Sequence, residues 1–234
     1  MLVLYRALLL TKNAPGKILR FMKSVLASKW IKVPLFLLCL APIARLVWGA
    51  FHHGLGANPI EFITHDTGDW ILIFLVLTLS ITPARKLLRL PELIRFRRML
   101  GLFAFFYACL HFTTWIWLDK SFDLSDMWAD VVKRRFITVG FTGFVLMIPL
   151  AITSTAGWIR RIGGKRWAML HRLIYVSAVA GVIHYYWLVK SDVRKPVRYA
   201  ILVALLLGYR LVVKLDAKRK RTASLKASLV SSAS

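Results

Sequence analysis

The chain has 234 residues, of which 58% are hydrophobic, and it carries a formal net charge of +24. A soluble domain of this size is rarely so apolar and so basic at once, so the composition excludes an ordinary soluble globular protein. Several runs of about 18 to 22 residues carry almost no charge, which is the length a helix needs to cross a bilayer. Backbone groups in lipid must be satisfied internally, so the class predicted is an all-α membrane protein.

The apolar runs predict six membrane spans in chain order. They are 33–50, 68–83, 99–118, 136–153, 167–189 and 197–213. Together they predict a six-helix transmembrane domain, 33–213, preceded by a cytoplasmic segment, 1–32, and followed by a basic cytoplasmic tail, 214–234. The low-complexity sequence "TASLKASLVSSAS" predicts that this tail is disordered.

The distribution of basic residues predicts the orientation. Of 34 Lys and Arg residues, 24 fall in the N-terminal segment, in the loops 84–98 and 157–167, and in the tail from Arg210 onward. The positive-inside rule places this side, with both termini, in the cytoplasm. The charge therefore reflects topology and attraction to anionic lipid head groups, and nucleic acid is not an expected partner.

Three of the six histidines lie inside predicted spans: His111 in the third, and His171 and His184 in the fifth. Ionisable residues inside a membrane are costly and mark functional sites. At 1.5 Å per residue, His111 and His184 lie about 12 and 9 Å from the outer ends of their helices, whereas His171 lies about 28 Å away. Two neutral imidazoles at similar depth on two helices suit the two axial positions of a haem iron.

The role of His171 stays open at this point. Zinc would require a third close ligand beside His111 and His184, which this level does not offer. On an ideal helix His171 and His184 point about 140° apart, so a second, inner haem on His171 would require a local bulge or a rotated site. His171 could instead contact a flavin or a quinone at the cytoplasmic face.

Four arginines are candidates for cofactor binding. Arg45, in the outer half of the first span, could extend to the membrane surface or pair with a haem propionate. Arg97, Arg98 and Arg172 lie at the predicted cytoplasmic end, and Arg172 could extend to the membrane surface or bind an anionic cofactor.

The sequence around these residues resembles a known family. The segments that carry the resemblance are "LVWGAFHHGLGANPIEFITHDTG", "TLSITPARKL", "LIRFRRMLGLFAF", "LHFTTW", "ITSTAGWIRRIGGKRWAMLHRLIY" and "IHYYW". They are similar to MsrQ, formerly YedZ, the family of haem-binding membrane subunits of bacterial protein-methionine-sulfoxide reductase systems. This family belongs to the ferric-reductase-like transmembrane superfamily of six-helix bundles.

The resemblance implies a function, cofactors and partners. It implies that His111, His171 and His184 match the haem-associated histidines of the family, with haem b and a flavin mononucleotide (FMN) as cofactors. Electrons would come from the quinone pool or a cytosolic flavin reductase. They would pass across the bacterial inner membrane to MsrP, a periplasmic molybdopterin enzyme that reduces methionine sulfoxide and so repairs oxidised envelope proteins.

Two other functions stay open from the residues alone. No Gly-rich nicotinamide fingerprint follows a strand in this chain, which argues against a self-contained NADPH oxidase or ferric reductase with a fused dehydrogenase domain. Reduction of methionine sulfoxide is expected on the partner. A stand-alone membrane metal or quinone reductase could use the same bundle. A proton or metal transporter could use the histidines as a relay, although such proteins usually carry intramembrane acids or broken helices near the midplane.

Overall fold

A computed structural model describes residues 20–231, with side-chain surroundings up to residue 224. Within these residues the regular structure is helical, and no strand is present. After a short helical stretch at 20–27, the helices are α1 (Lys32–Phe51), α2 (Pro59–Leu87), α3 (Ile94–Thr113), α4 (Leu124–Lys133), α5 (Arg135–Ile152), α6 (Ala156–Ile162), α7 (Gly164–Leu170), α8 (Leu173–Leu188) and α9 (Arg194–Ser231). A 3-10 turn, Pro91–Leu93, precedes α3, and a π-helix, Thr114–Asp119, extends it.

Five helical stretches in the described part of the chain are long and apolar enough to cross a membrane. They are α1, α2, Pro91–Asp119, α5 and Gly164–Leu188. The all-α class and the multi-pass membrane character are therefore confirmed. The sixth predicted span, 197–213, lies within α9, which packs against α2 and α8.

Helix α2 begins much earlier than predicted. The sequence prediction placed its start at residue 68 and assigned the preceding residues to an outer loop, but the helix starts at Pro59. The Asn58 side chain accepts a hydrogen bond from the Glu61 backbone N–H, and Pro59 occupies the first turn, where its missing N–H costs nothing. His65 therefore lies on a helix that extends beyond the predicted span.

The bundle is organised around two helix pairs, α2 with α3 and α5 with α8. Side chains with almost no exposed surface lie where these helices meet, and they include Leu75, Leu79, Ala104, Tyr107 and Ala178. Many large apolar side chains on the outside of the bundle are exposed, as expected for helices that face lipid.

Tyr107 ties α1 to this core. Its hydroxyl donates to the backbone oxygen of Cys39 (2.9 Å) and accepts from the backbone N–H of Ile43 (3.3 Å). In a regular helix this carbonyl and this N–H would bond to each other. They lie beside Pro42, whose ring disturbs regular helical hydrogen bonding. The Tyr107 ring also stacks on Phe74, with the ring centroids 5.3 Å apart.

Replacing Tyr107 with Phe should lower stability without changing the shape of the core. The change leaves two buried backbone groups without this partner, which typically costs about 1–3 kcal/mol in the free energy of unfolding. Thermal unfolding of the detergent-solubilised protein measures the effect. The control is Tyr186→Phe, at an exposed position, and equal midpoints for the two variants would contradict the bridging role.

The C-terminal tail differs from the sequence prediction. Helix α9 continues to Ser231, whereas disorder was predicted from residue 214 onward. The start of this extension is rich in helix-forming Lys, Arg, Leu and Ala, and Lys220 pairs with Asp216 one turn away (3.0 Å). Residues 1–19 of the predicted N-terminal segment and residues 232–234 of the tail lie outside the described residues.

Candidate metal centre

A cavity of about 540 Å³ lies between α2, α3, α5 and α8. This volume is in the range of small-molecule and cofactor sites. Its deeper wall is mainly apolar and includes Leu72, Leu75, Phe112, Phe144 and Met147. His111 from α3 and His184 from α8 both line it, so the two histidines predicted as partners are brought together.

The distance between the two imidazoles fits one metal ion between them. The ring centroids of His111 and His184 are 6.2 Å apart, and the ring planes are nearly perpendicular at 88°. A metal–imidazole bond is about 2.0 Å long, and a ring nitrogen lies about 1.1 Å from the ring centre. Two such bonds in line would place the ring centres about 6.2 Å apart, so the observed spacing fits axial ligation by both rings.

Hydrogen bonds fix which nitrogen of each ring is available. His111 Nδ1 lies 3.0 Å from the backbone oxygen of Thr64, and His184 Nδ1 lies 2.7 Å from that of Phe136. A carbonyl oxygen can only accept, so each Nδ1 carries the proton and donates it. Nε2 of each neutral ring then keeps the lone pair that a metal binds, an arrangement typical of metal-ligating histidines.

Glycines on the facing helices make room for both rings. A Cβ atom added at Gly140 of α5 would lie 2.5 Å from His184 Nδ1 and 2.9 Å from its Cγ. A Cβ atom added at Gly68 of α2 would lie 3.4 Å from His111 Cε1, which is an ordinary contact. The position of the His184 ring therefore requires glycine at residue 140, whereas the position of the His111 ring depends much less on glycine at residue 68.

The side chains around His111 and His184 favour the iron of a porphyrin over a metal ion held by protein ligands alone. Among the residues that the structure describes, no group of three or more His, Cys, Asp and Glu side chains could hold a metal ion by itself. A metal between His111 and His184 would therefore take its other ligands from a non-protein group. A haem iron has four such ligands in its macrocycle, and an apolar bundle cavity can enclose it.

His171 lies outside this cavity, at a break in the fifth apolar stretch. Helix α7 ends at Leu170 and α8 begins at Leu173, so the continuous helix of the prediction is interrupted at His171 and Arg172. The His171 ring stacks on Trp167, and its Nε2 lies 3.1 Å from the hydroxyl of Thr153. The interruption is the kind of local irregularity that a second site on His171 would require.

The predicted arginines do not line the cavity. Arg45 forms an ion pair with Asp66, a partner that the sequence prediction missed, and it lies over the ring of Phe62. Arg97 is half-buried, and Arg98 and Arg172 are exposed. The Asp66 pairing could have been foreseen only if α2 had been recognised as a helix this far outward.

An ion-pair network lies beside the part of the cavity that Arg134 lines. The carboxylate of Asp130 is buried and pairs with Lys120 (2.6 Å) and with Arg134 (3.2 Å). Lys120 also binds Asp126 (2.8 Å), and these hydrogen bonds raise the pKa of Lys120 and lower the pKa of Asp126. The network connects the end of the α3 stretch, which carries His111, to the start of α5, which carries the Phe136 carbonyl.

The membrane helices match a known protein family. Residues 67–182 match the family described as "Ferric reductase like transmembrane component". The match includes His111 and His171 and ends two residues before His184. The membrane helices and the paired imidazoles therefore define a ferric-reductase-like membrane component.

Curated relatives place the chain more narrowly. It is 58% identical over 182 residues to "Protein-methionine-sulfoxide reductase heme-binding subunit MsrQ" of Herminiimonas arsenicoxydans, covering 77% of this chain and 84% of the relative. The proteins of the same name from Rhodospirillum rubrum and Ralstonia nicotianae are 51% and 50% identical, covering 80% and 77% of this chain and 90% and 84% of the relatives. The chain belongs to the MsrQ family, which confirms the resemblance seen in its sequence. No solved structure matches it.

Proposed function

We propose that this chain is the haem b-binding membrane subunit that carries electrons to a protein-methionine-sulfoxide reductase. The observation that carries the proposal is the pair His111 and His184, with ring centres 6.2 Å apart in a cavity large enough for a cofactor. The relatives named above support it, because their names describe haem binding within such a reductase system.

The residues of the chain would act by holding and shielding the cofactor. His111 and His184 would hold the haem iron, and the carbonyls of Thr64 and Phe136 would fix the two rings in the ligating tautomer. When bound, the haem supplies reversible one-electron transfer at its iron. Both imidazoles would be used to hold the haem, and sulfoxide reduction would take place on the partner.

The charge distribution supports one orientation of the bundle in the membrane. The excess of Lys and Arg on one side supports six spans, with the sixth inside α9, and both termini in the cytoplasm of a bacterial inner membrane. The His111–His184 pair would then lie toward the periplasm, where the MsrP-like molybdopterin reductase would dock. Electrons would enter from the quinone pool or from a cytosolic flavin reductase.

The cytoplasmic end is the place for an electron-entry cofactor. Arg97, Arg98 and Arg172 would offer positive charge to an anionic group such as FMN. His171 lies at the helix break near this end, and it could hold a second haem or contact a flavin or quinone. Its hydrogen bond to Thr153 is compatible with a contact role.

A visible and electron paramagnetic resonance spectrum of the purified protein tests the proposal. Haem and flavin are quantified per chain, and one low-spin haem b is expected for the His111–His184 pair. Because the two imidazole planes are nearly perpendicular, two iron d orbitals should be close in energy, and the ferric signal should be strongly anisotropic. A colourless protein would contradict the proposal and favour a histidine relay in a transporter.

A reconstituted assay separates the subunit from a stand-alone reductase. The protein is reduced in lipid vesicles, and its reoxidation is followed with an MsrP-like reductase and methionine sulfoxide. Reoxidation should require both additions. Equally fast reoxidation by ferric chelates or quinones, with none by the reductase, would support the stand-alone alternative instead.

A further inference from the structure

We propose that Trp115 and Arg134 bind the carboxylate groups of the haem, so that its polar edge faces the outer end of the cavity. This inference rests on the proposed haem ligation by His111 and His184. It assigns to two residues that line the cavity itself a role that the sequence offered as one of two alternatives for Arg45.

Trp115 offers an unused hydrogen-bond donor beside the cavity. It follows His111 by four residues, about 6 Å further outward along the stretch, and lies in the π-helix that extends α3. Its indole Nε1 is shielded from solvent and has no hydrogen-bond partner among the described residues. A buried N–H without a partner is costly, so an acceptor within the cavity would stabilise this arrangement.

Arg134 offers a cation on the lining of the same cavity. It directly precedes α5, two residues before Phe136, whose carbonyl holds His184. Its Nε faces the buried carboxylate of Asp130 (3.2 Å), while the two terminal nitrogens make no hydrogen bond within the described residues. This leaves the planar end of the guanidinium, which suits a carboxylate, free to bind a ligand.

The charges around the outer end of the cavity fix the direction of the carboxylates. Arg134 is the basic residue that lines this end, whereas Glu61, Asp69 and Asp119 are acidic. Asp69 is already paired with Lys195 (3.0 Å) and Glu61 accepts from Asn58 (2.9 Å), but neither pair would attract an anion. Carboxylates of a bound haem would therefore point toward Trp115 and Arg134.

Exchange of two forms of the cofactor tests this directly. The full-length protein is loaded with haem or with haem dimethyl ester, in which both carboxylates are masked, and release to a haem-scavenging protein is timed. In the wild type the ester should leave roughly tenfold to a hundredfold faster, because charge-assisted hydrogen bonds are lost. Arg134→Gln and Trp115→Phe should speed the release of haem but barely change release of the ester.

Matched controls lie next to each residue. Arg135→Gln and Trp117→Phe alter exposed neighbours that do not line the cavity, and both should keep the wild-type ratio of the two release rates. Asp130→Asn removes the carboxylate that pairs with Arg134 and does not change a residue of the cavity lining. It tests whether faster haem release in Arg134→Gln comes only from loss of this ion pair.

The outcomes are separable from those of the haem proposal. A falling midpoint potential in Arg134→Gln supports carboxylate binding, because loss of a nearby positive charge favours the ferric form. If both variants keep the wild-type ratio of haem to ester release, carboxylate binding at these residues is refuted although haem ligation stands. Failure of the wild type to bind haem would instead refute the proposed function.

Discussion

Replacing either His111 or His184 with alanine should abolish the low-spin haem spectrum. Mutation of groups that merely support a metal ligand typically costs about 10- to 100-fold in affinity, so loss of an axial ligand should cost at least as much. The measurement is haem per chain after purification, together with the visible and paramagnetic resonance spectra. Unchanged spectra in both variants would refute the assignment of the site.

Two other histidines serve as controls for this result. His65 also lines the cavity, but its side chain is 47% exposed and lies 4.0 Å from Glu61, so His65→Ala should keep the haem. His171→Ala removes the ring held by Thr153 at the helix break. If His171 holds a second haem, this variant should lose one haem per chain and keep the other, whereas an unchanged haem count would support a flavin or quinone contact.

A single methyl group at Gly140 should have an effect close to that of removing His184. An ideal Cβ at this position would lie 2.5 Å from His184 Nδ1, which is closer than real Cβ contacts come. The ring is also held by the Phe136 carbonyl, so it must either break that hydrogen bond or push α5 away. Gly140→Ala should therefore reduce haem content at least tenfold, by analogy with loss of a supporting group.

Other glycine substitutions separate the local clash from a general effect. Gly68→Ala faces His111 at 3.4 Å and should change haem content little. Gly208→Ala, in α9, meets no atom within 4 Å and should leave the spectrum unchanged. A Gly140→Ala protein with the wild-type spectrum and midpoint potential would show that α5 is not the wall that positions His184.

The depth of each histidine could be calculated from the sequence, because a helix advances by a constant rise. That rise placed His111 and His184 at one level and His171 at another, and the structure brings the first two to the same cavity. The helix break at His171 was foreseen only as a condition for a second site. The structure places His171 against Trp167, one turn earlier, and against Thr153, which follows the end of α5.

The charged partners were the hardest part to predict. Arg45 was placed near the outer surface, but its pairing with Asp66 depends on α2 starting at Pro59, a start that the Asn58 cap signals only weakly. Trp115 and Arg134 lie on different helical segments with α4 between them, and no local pattern connects the two. Their position on one cavity results from the packing of α5 and α8 against α2 and α3.

The sequence by itself determined the membrane class, the family, and the level of each imidazole, because apolar length, charge bias and helical rise are properties of the chain taken one segment at a time. Only the tertiary structure decided the 6.2 Å spacing, the protonated nitrogen of each ring and the space left by Gly140. Those features depend on how helices are rotated and which helices are neighbours, and close packing between helices sets both.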